Sequence, residues 1–579
     1  MTIRGGLSQD SEKSGAVAPL LRFIAVGTIA GLGFGLVMAI VSNGFVLGVK
    51  ALSSLREGRL SELLRFGDLP VSFAPVVSLL VAVAAILVVR RAFGIKRWHG
   101  PADAIHAAHR SDNELDVKSG FGSTLAAFIS ASGGASVGQY GPLVHFGATM
   151  GSFLRQATGG VLSTDIFIGC GVAGAIAAGF NAPIAGIVFA HEAVLRHFSM
   201  RAIAPIAIAS VSSVWFSDAF FGSAHIFDLS GVSINLGHML PPALLAGPAF
   251  GLLAVLFMLA IRHSAGFAAR SGWSPTRLLL TAAIGTGVVG MFIPEVLGLG
   301  TSALASMLDG GFGSAYLMLL LVAKLLLTAL CIGFGLFGGV FSPALFVGAA
   351  AGAVMGQLMV GIMGFGSMTA LSICGMAAVA SAVIGAPVAG VLIILELTMN
   401  YDFALVAMIS VVASIMVTNL IFGHSFFDRQ LLDRDIDVSQ GRGHIEMTET
   451  PVLSVVDGNF CCISLDADVR SAIRELGRAE VTEAYLIDNS GKFHGKIRLH
   501  ELLLRKAESP VLPFADSAPI SIKHDASLQQ AIEVASDFVG ESIPVIDRSE
   551  GTMVGVVTEA DLFKLYLSLQ HRVADLERT

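Results

Sequence analysis

Up to about residue 427 the chain alternates long apolar runs with shorter ones interrupted by glycine and proline; beyond that point the pattern changes to amphipathic helices and short strands. The runs at 20–49, 71–89, 243–261 and 403–422 can each cross a bilayer as a helix, which needs roughly 20 apolar residues. The pattern predicts an α-helical polytopic membrane protein with a soluble α/β region at its C-terminal end. A polar tail, residues 1–18, precedes the first run. That run is too long for a signal peptide and lacks a small-residue cleavage pattern, so both ends of the chain are expected in the cytoplasm. The membrane region is placed at 19–427, in halves of roughly 19–220 and 240–427. A polar linker, 428–449, follows.

The two halves repeat one another. "CGVAGAIAAGFNAPIAGIVFAHE" (170–192) aligns without gaps on "CGMAAVASAVIGAPVAGVLIILE", 204 residues later, superposing Cys, Gly, Ala-Pro, Ala-Gly and a closing Glu. Just upstream, Gly138, Pro142, Gly147 and Gly151 match Gly339, Pro343, Gly348 and Gly352 at a spacing of 201. Interrupted apolar segments at corresponding places in two halves mark where discontinuous helices meet near the bilayer midplane. Irregular backbone at that depth is tolerated only when buried in protein or lining a wet cavity.

"GQYGP" and "GGVFSP" both read as helix beginnings, because proline in a first turn lacks a donor that would be orphaned there anyway. A helix beginning presents free N–H groups and the positive end of the helix dipole, which suits an anion. Two of them aimed at one place would hold a desolvated anion without a full cationic charge that binds too tightly to release. The alternative is that Gly and Pro merely permit close helix packing.

Composition agrees with the membrane reading: 54% of the 579 residues are hydrophobic and 14% charged, and mean hydropathy is +0.75. A net charge of −7 gives no reason to expect a nucleic-acid partner. Cys170, Cys331, Cys374, Cys461 and Cys462 have neither zinc-site spacing nor a disulfide framework. His99, His106 and His109 fall close together, but no carboxylate or cysteine set completes a tetrahedral metal site. Their loop could tune an inner pore mouth by protonation near a pH of ~6.5. An enzyme is not expected, nor a cofactor in the membrane part.

The segments "GGASVGQYGPLVHFGATMG", "GFNAPIAGIVFAHE", "GGVFSPALFVGAAAG" and "IGAPVAGVLIILELT" together resemble the CLC family of chloride channels and transporters. From Thr450 a helix–strand–turn–strand–helix pattern occurs twice, and the two copies look like a tandem pair of CBS domains, 450–508 and 509–572, a familiar appendage of that family. The resemblance implies two inverted repeats of broken helices and a homodimer with a chloride or other monovalent-anion pore in each subunit. It implies backbone N–H donors from Val340 and Phe341 at a central site, and from Gln139, Tyr140 and Gly141 at an outer one. Lys324 matches a basic position of the family and is expected to place positive potential along the anion route.

The departures are informative. Where the family's G-(R/K)-E-G-P motif has a gating, proton-carrying glutamate, this chain has Tyr140, a phenol that stays protonated below a pH of ~10. Tyr140 is thus expected as a neutral gate, either a plug or a donor to the ion. Ala193 stands where proton-coupled members have a second glutamate, and Glu192 lies one position earlier, turned by about 100° on a helix. Its repeat partner Glu396 suggests a capping or pairing role for both. The family's G-S-G-I-P loop is replaced by "WHGPAD", which puts the serine place near His99 with Gly100 and Pro101 opening the helix; the late tyrosine is replaced by Phe427.

Passive, proton-uncoupled chloride conduction is the expectation, with chloride/proton exchange through Glu192 as the alternative; motifs of fluoride-selective relatives are not evident. A CBS pair can also bind an adenine nucleotide. The resemblance places Thr558 and Asp561 at ribose-contacting positions, whereas the first copy has Arg498 and Glu501 there.

Overall fold

In the computed structural model, which describes residues 9–64, 71–110, 112–158, 162–222, 234–363, 367–488, 490–547 and 549–578, the apolar part of the chain becomes two matched series of helices. The first series is α1 (Gln9–Leu55), α2 (Ala74–Ala92), α3 (Pro101–His109), α4 (Val117–Gly133), α5 (Tyr140–Thr158), α6 (Thr164–Phe180), α7 (Pro183–Phe189) and α8 (Met200–Phe221). The second is α9 (Leu236–Arg270), α10 (Pro275–Phe292), α11 (Thr301–Leu308), α12 (Ser314–Gly333), α13 (Phe341–Met363), α14 (Met368–Ile384), α15 (Pro387–Thr398) and α16 (Tyr401–Ile421). A short α17 (Phe426–Leu432) closes the series. Residues 1–8 of the expected tail lie outside the described residues, and α1 takes in the rest of it.

The sequence repeat reappears as packing. In the first series α5 lies on α6 and α1 on α8; in the second α13 lies on α14 and α9 on α16. Glycines make the closest crossings. A Cβ on Gly147 would stand 2.2 Å from the Gly171 carbonyl oxygen, and a Cβ on the matching Gly348 would stand 2.2 Å from that of Gly375. Close packing is therefore one use of the repeated glycines. Among the described residues eight helices are long and apolar enough to cross a membrane. The shorter α6 and α14 are jacketed by protein, with Ala370–Ile384 of α14 buried throughout.

The chain divides by its contacts into Met1–Ile436 and Asp437–Thr579. Within 428–449, the stretch expected as a linker, lie the end of α17 and the whole of α18 (Arg442–Glu449). The second unit contains one motif twice. It runs β1 (Cys462–Ser464), α19 (Val469–Ala479), β2 (Glu483–Ile487), β3 (Phe493–Arg498), then β4 (Ile522–Lys523), α20 (Leu528–Ser536), β5 (Ile543–Asp547), β6 (Thr552–Val557) and α21 (Glu559–Arg578). In each copy the first strand pairs parallel and the third antiparallel to the middle strand. Both copies break register at the same place, Leu486/Ile487 and Val545/Ile546.

A buried ion pair fastens one copy to the other. Lys496 Nζ lies 2.6 Å from Glu483 Oε2 and donates to the Ser542 carbonyl at 2.9 Å, with the Phe538 ring 4.8 Å away. The Glu483 carboxylate also accepts from the N–H groups of Glu541 and Ser542. Burial pushes the Lys496 ammonium below the usual lysine range, against the pull of Glu483.

Candidate functional site

The two helix beginnings read from the repeat are joined directly. Gly138 N–H donates to the Gly339 carbonyl and Gly339 N–H to the Gly138 carbonyl, both at 2.7 Å, a two-bond antiparallel bridge across the halves. α5 starts two residues beyond Gly138, and α13 two residues beyond Gly339. The first-turn N–H groups of a helix have no partner within it, so each start offers unpaired donors and a partial positive charge.

A third start joins them. Gly100 is the N-cap of α3 and Pro101 its first residue. A cavity of ≈ 90 Å³ is lined by Gly100 and Pro101, by Gly141 and Pro142 of α5, and by Gly338–Val340 ahead of α13. Phe426 and Phe427 of α17 close another wall. That volume admits several water-sized particles, since one needs about 10–15 Å³ on this measure. Three dipole ends converge on a small space whose lining also includes Asp103, Gln430 and Arg434.

Tyr140, the first residue of α5, is held by aromatic rings. Its ring stacks on Phe180, the last residue of α6, with centroids 3.7 Å apart and planes at 16°, and meets Phe341 edge-on at 5.5 Å. Phe180 and Phe341 touch edge-on as well, at 5.1 Å. The Tyr140 hydroxyl donates to the Gly179 carbonyl at 3.3 Å. All three rings are buried. The phenol is stacked and tethered in this conformation.

Residues 80–419, more than half of the chain, match the family described as voltage gated chloride channel. The chain belongs to this family. Residues 514–568 match the CBS domain, the second copy of the repeated motif. The H(+)/Cl(−) exchange transporter ClcA of Vibrio cholerae serotype O1 is 29% identical over 316 residues, covering 52% of this chain and 67% of the relative. A slow cyanobacterial Cl−/H+ antiporter of known structure superposes with a TM-score of 0.62 at 20% identity, over 71% of this chain and 97% of the other. A eukaryotic CLC transporter gives 0.60 at 19% identity, over 93% and 98%. At these identities the two structures establish a shared CLC fold. Members of the CLC family are channels or transporters rather than enzymes, and this CLC chain is an integral membrane protein.

The residues singled out in the sequence fall into three groups. Gly100, Gly141, Val340 and Phe427 line the cavity together. Tyr140 and Phe341 belong to the aromatic stack; Gln139 is buried beside them with its Oε1 unpartnered among the described residues. His99 is half-buried, and its backbone N–H donates to Ser123 Oγ at 3.0 Å. Lys324 is elsewhere. Its ammonium is fully buried, donates to the carbonyls of Val296 (3.0 Å) and Gly298 (2.9 Å), and lies 5.1 Å from the Phe346 ring. That charge secures the turn before α11, and Lys324 is not among the residues lining the cavity.

Glu192 and Glu396 cap each other's half. The Glu192 carboxylate accepts from Val388 N–H (3.0 Å) and Ala389 N–H (2.7 Å) at the start of α15. Glu396 accepts from Ile184 N–H (2.9 Å) and Ala185 N–H (2.7 Å) at the start of α7. These two proline-led helix starts are thus sealed by carboxylates of the protein itself. At α3, Asp103 plays a lesser version of the part, accepting from Gly100 N–H at 2.9 Å while Arg97 and Arg434 hold it.

In the CBS copy, Thr558 and Asp561 cap α21. The threonine hydroxyl donates to Asp561 Oδ2 at 2.6 Å, and Asp561 N–H donates back to that hydroxyl at 3.2 Å. At the matching places of the first copy, Arg498 lies 3.8 Å from Glu501 and 3.6 Å from Glu483.

Sequence reasoning missed Phe180, Asp103 and Arg434. The repeat aligns Phe180 on Ile384, one of many differences between the halves, so nothing in the sequence singled it out.

Proposed function

We propose that this protein conducts chloride, or another monovalent anion, passively across the membrane, through a pore in each subunit of a homodimer, with no stoichiometric proton movement. The observation that carries the reading is Tyr140. At the place of the family's ionisable gate stands a phenol held by Phe180, Phe341 and the Gly179 carbonyl, a group that closes the path without carrying charge. An anion passing the convergent starts of α3, α5 and α13 would be gripped chiefly by main-chain dipoles, beside an Arg434 already paired with Asp103, firmly enough to enter and weakly enough to leave. Gln139, Tyr140 and Gly141 would serve the outer stage of that route and Val340 and Phe341 the central one, with Gly100 and His99 at the inner mouth and Phe427 walling it. In this reading both ends of the chain lie in the cytoplasm, where the CBS pair could take an adenine nucleotide at Thr558 and Asp561.

Chloride/proton exchange is the second reading. It is favoured by the ClcA relative, named as an exchanger, and it would have to use Glu192, whose two oxygens are already engaged at α15. Efflux from vesicles loaded with chloride and made permeable to potassium tests the primary reading. Chloride should leave at a rate set by protein content; vesicles that retain it would refute conduction.

A further inference from the structure

His145, on the second turn of α5, is fully buried, and the polar group recorded at its ring is the Gly100 backbone, which leaves at least one of its nitrogens without a hydrogen-bond partner among the described residues. Its ring stands edge-on to that of His99, with centroids 6.0 Å apart. His99 is half-buried, and its Nδ1 is likewise buried and unpartnered. A neutral imidazole brings one N–H donor and one acceptor. Leaving such an atom unsatisfied in the interior costs about 1–3 kcal/mol, so orphaned nitrogens on two neighbouring rings favour an added partner.

The pair adjoins the cavity. Gly100, which follows His99, and Pro142, which lies less than one helical turn before His145, both line it. The charged groups facing the two rings are Asp103 and Arg97, with Asp116 and Arg434 also facing His99. Asp103, the negative group facing both rings, is itself engaged by two arginines, Arg97 Nη2 at 2.7 Å and Arg434 Nη1 at 2.8 Å. An anion at the starts of α3 and α5 would add a further negative charge beside the pair.

We propose that His99 and His145 form a proton-binding site behind the cavity, linked to its occupancy. A proton enters through the half-exposed His99, is held by one ring of the pair, and returns to the same solution, so that none crosses the membrane. By linkage, the bound proton tightens anion binding and the bound anion tightens proton binding by the same factor. This rests on the reading that anions occupy the cavity.

The test is chloride efflux by the full-length protein in vesicles from about pH 8 to about pH 4.5, with the chloride concentration for half-maximal flux measured at each pH. For the parent that concentration should fall at least about fivefold on acidification, within the usual size of a coupling. In His145→Gln it should stay flat, and in His99→Gln, a change at a half-exposed position that spares the core, it should flatten too. A parent profile without slope, or a slope that survives in a folded variant, overturns the proton site and leaves conduction standing. Absence of flux at every pH ends the conduction reading and this inference with it.

Discussion

Gly138 and Gly339 are 201 residues apart in the sequence and exchange two backbone hydrogen bonds of 2.7 Å each. The bridge sets the distance between the starts of α5 and α13, and no side chain fits there. A Cβ on Gly339 would lie 2.9 Å from Gly141 N and 3.2 Å from the Gly138 oxygen; one on Gly138 would lie 2.9 Å from the Gly339 oxygen. Gly339→Ala should therefore lower chloride flux at least about tenfold, the effect of 1.4 kcal/mol at a barrier, in protein that still purifies as an assembled species. Flux equal to the parent would show that the bridge does not shape the pathway.

Tyr140 tests the plug. Tyr140→Phe removes one neutral hydrogen bond, worth about 1 kcal/mol, and keeps the stack on Phe180. Tyr140→Ala removes both. Flux should rise about fivefold in the first and further in the second, read by chloride efflux from vesicles. A fall in both variants would make the phenol part of the conducting path instead of its closure.

The reciprocal caps predict matched penalties. Glu192→Ala leaves two main-chain donors at the start of α15 without acceptors, and Glu396→Ala does the same at α7. Each should cost about 1–2 kcal/mol of stability, measured by thermal unfolding in detergent. Neither should alter proton movement. If Glu192→Gln alone abolished a proton flux present in the parent, chloride/proton exchange would replace passive conduction as the function.

In the CBS pair, Glu483→Ala strands a buried ammonium and should cost about 3–5 kcal/mol, seen as faster amide exchange in β2 and β5 of the full-length protein. Replacing Glu483 and Lys496 together by Leu and Met should restore most of that protection. Unchanged exchange in the single variant would show the pair to be dispensable.

Much of this architecture was legible from glycine, proline and the repeat. The breaks at Gly138 and Gly339 could be placed because proline in a first turn has a local physical reason. The doubled CBS motif could be read because strand and turn residues recur in order. Lys324 shows the limit: an apolar run around a lysine says that the charge is buried, but the carbonyls that receive it, Val296 and Gly298, come from a turn almost 30 residues earlier. The role of Glu192 was half legible, since its repeat partner suggested a scaffold part. That each carboxylate caps the opposite half required the folded chain. His145 gave no sign at all, lying within an apolar run.

Whether anion flow is free of protons is decided by recording chloride and proton movement simultaneously in vesicles, with a chloride gradient as the only driving force. Chloride should run down its gradient while the proton signal stays at the level of protein-free vesicles. Protons driven uphill in fixed proportion to chloride would contradict passive conduction.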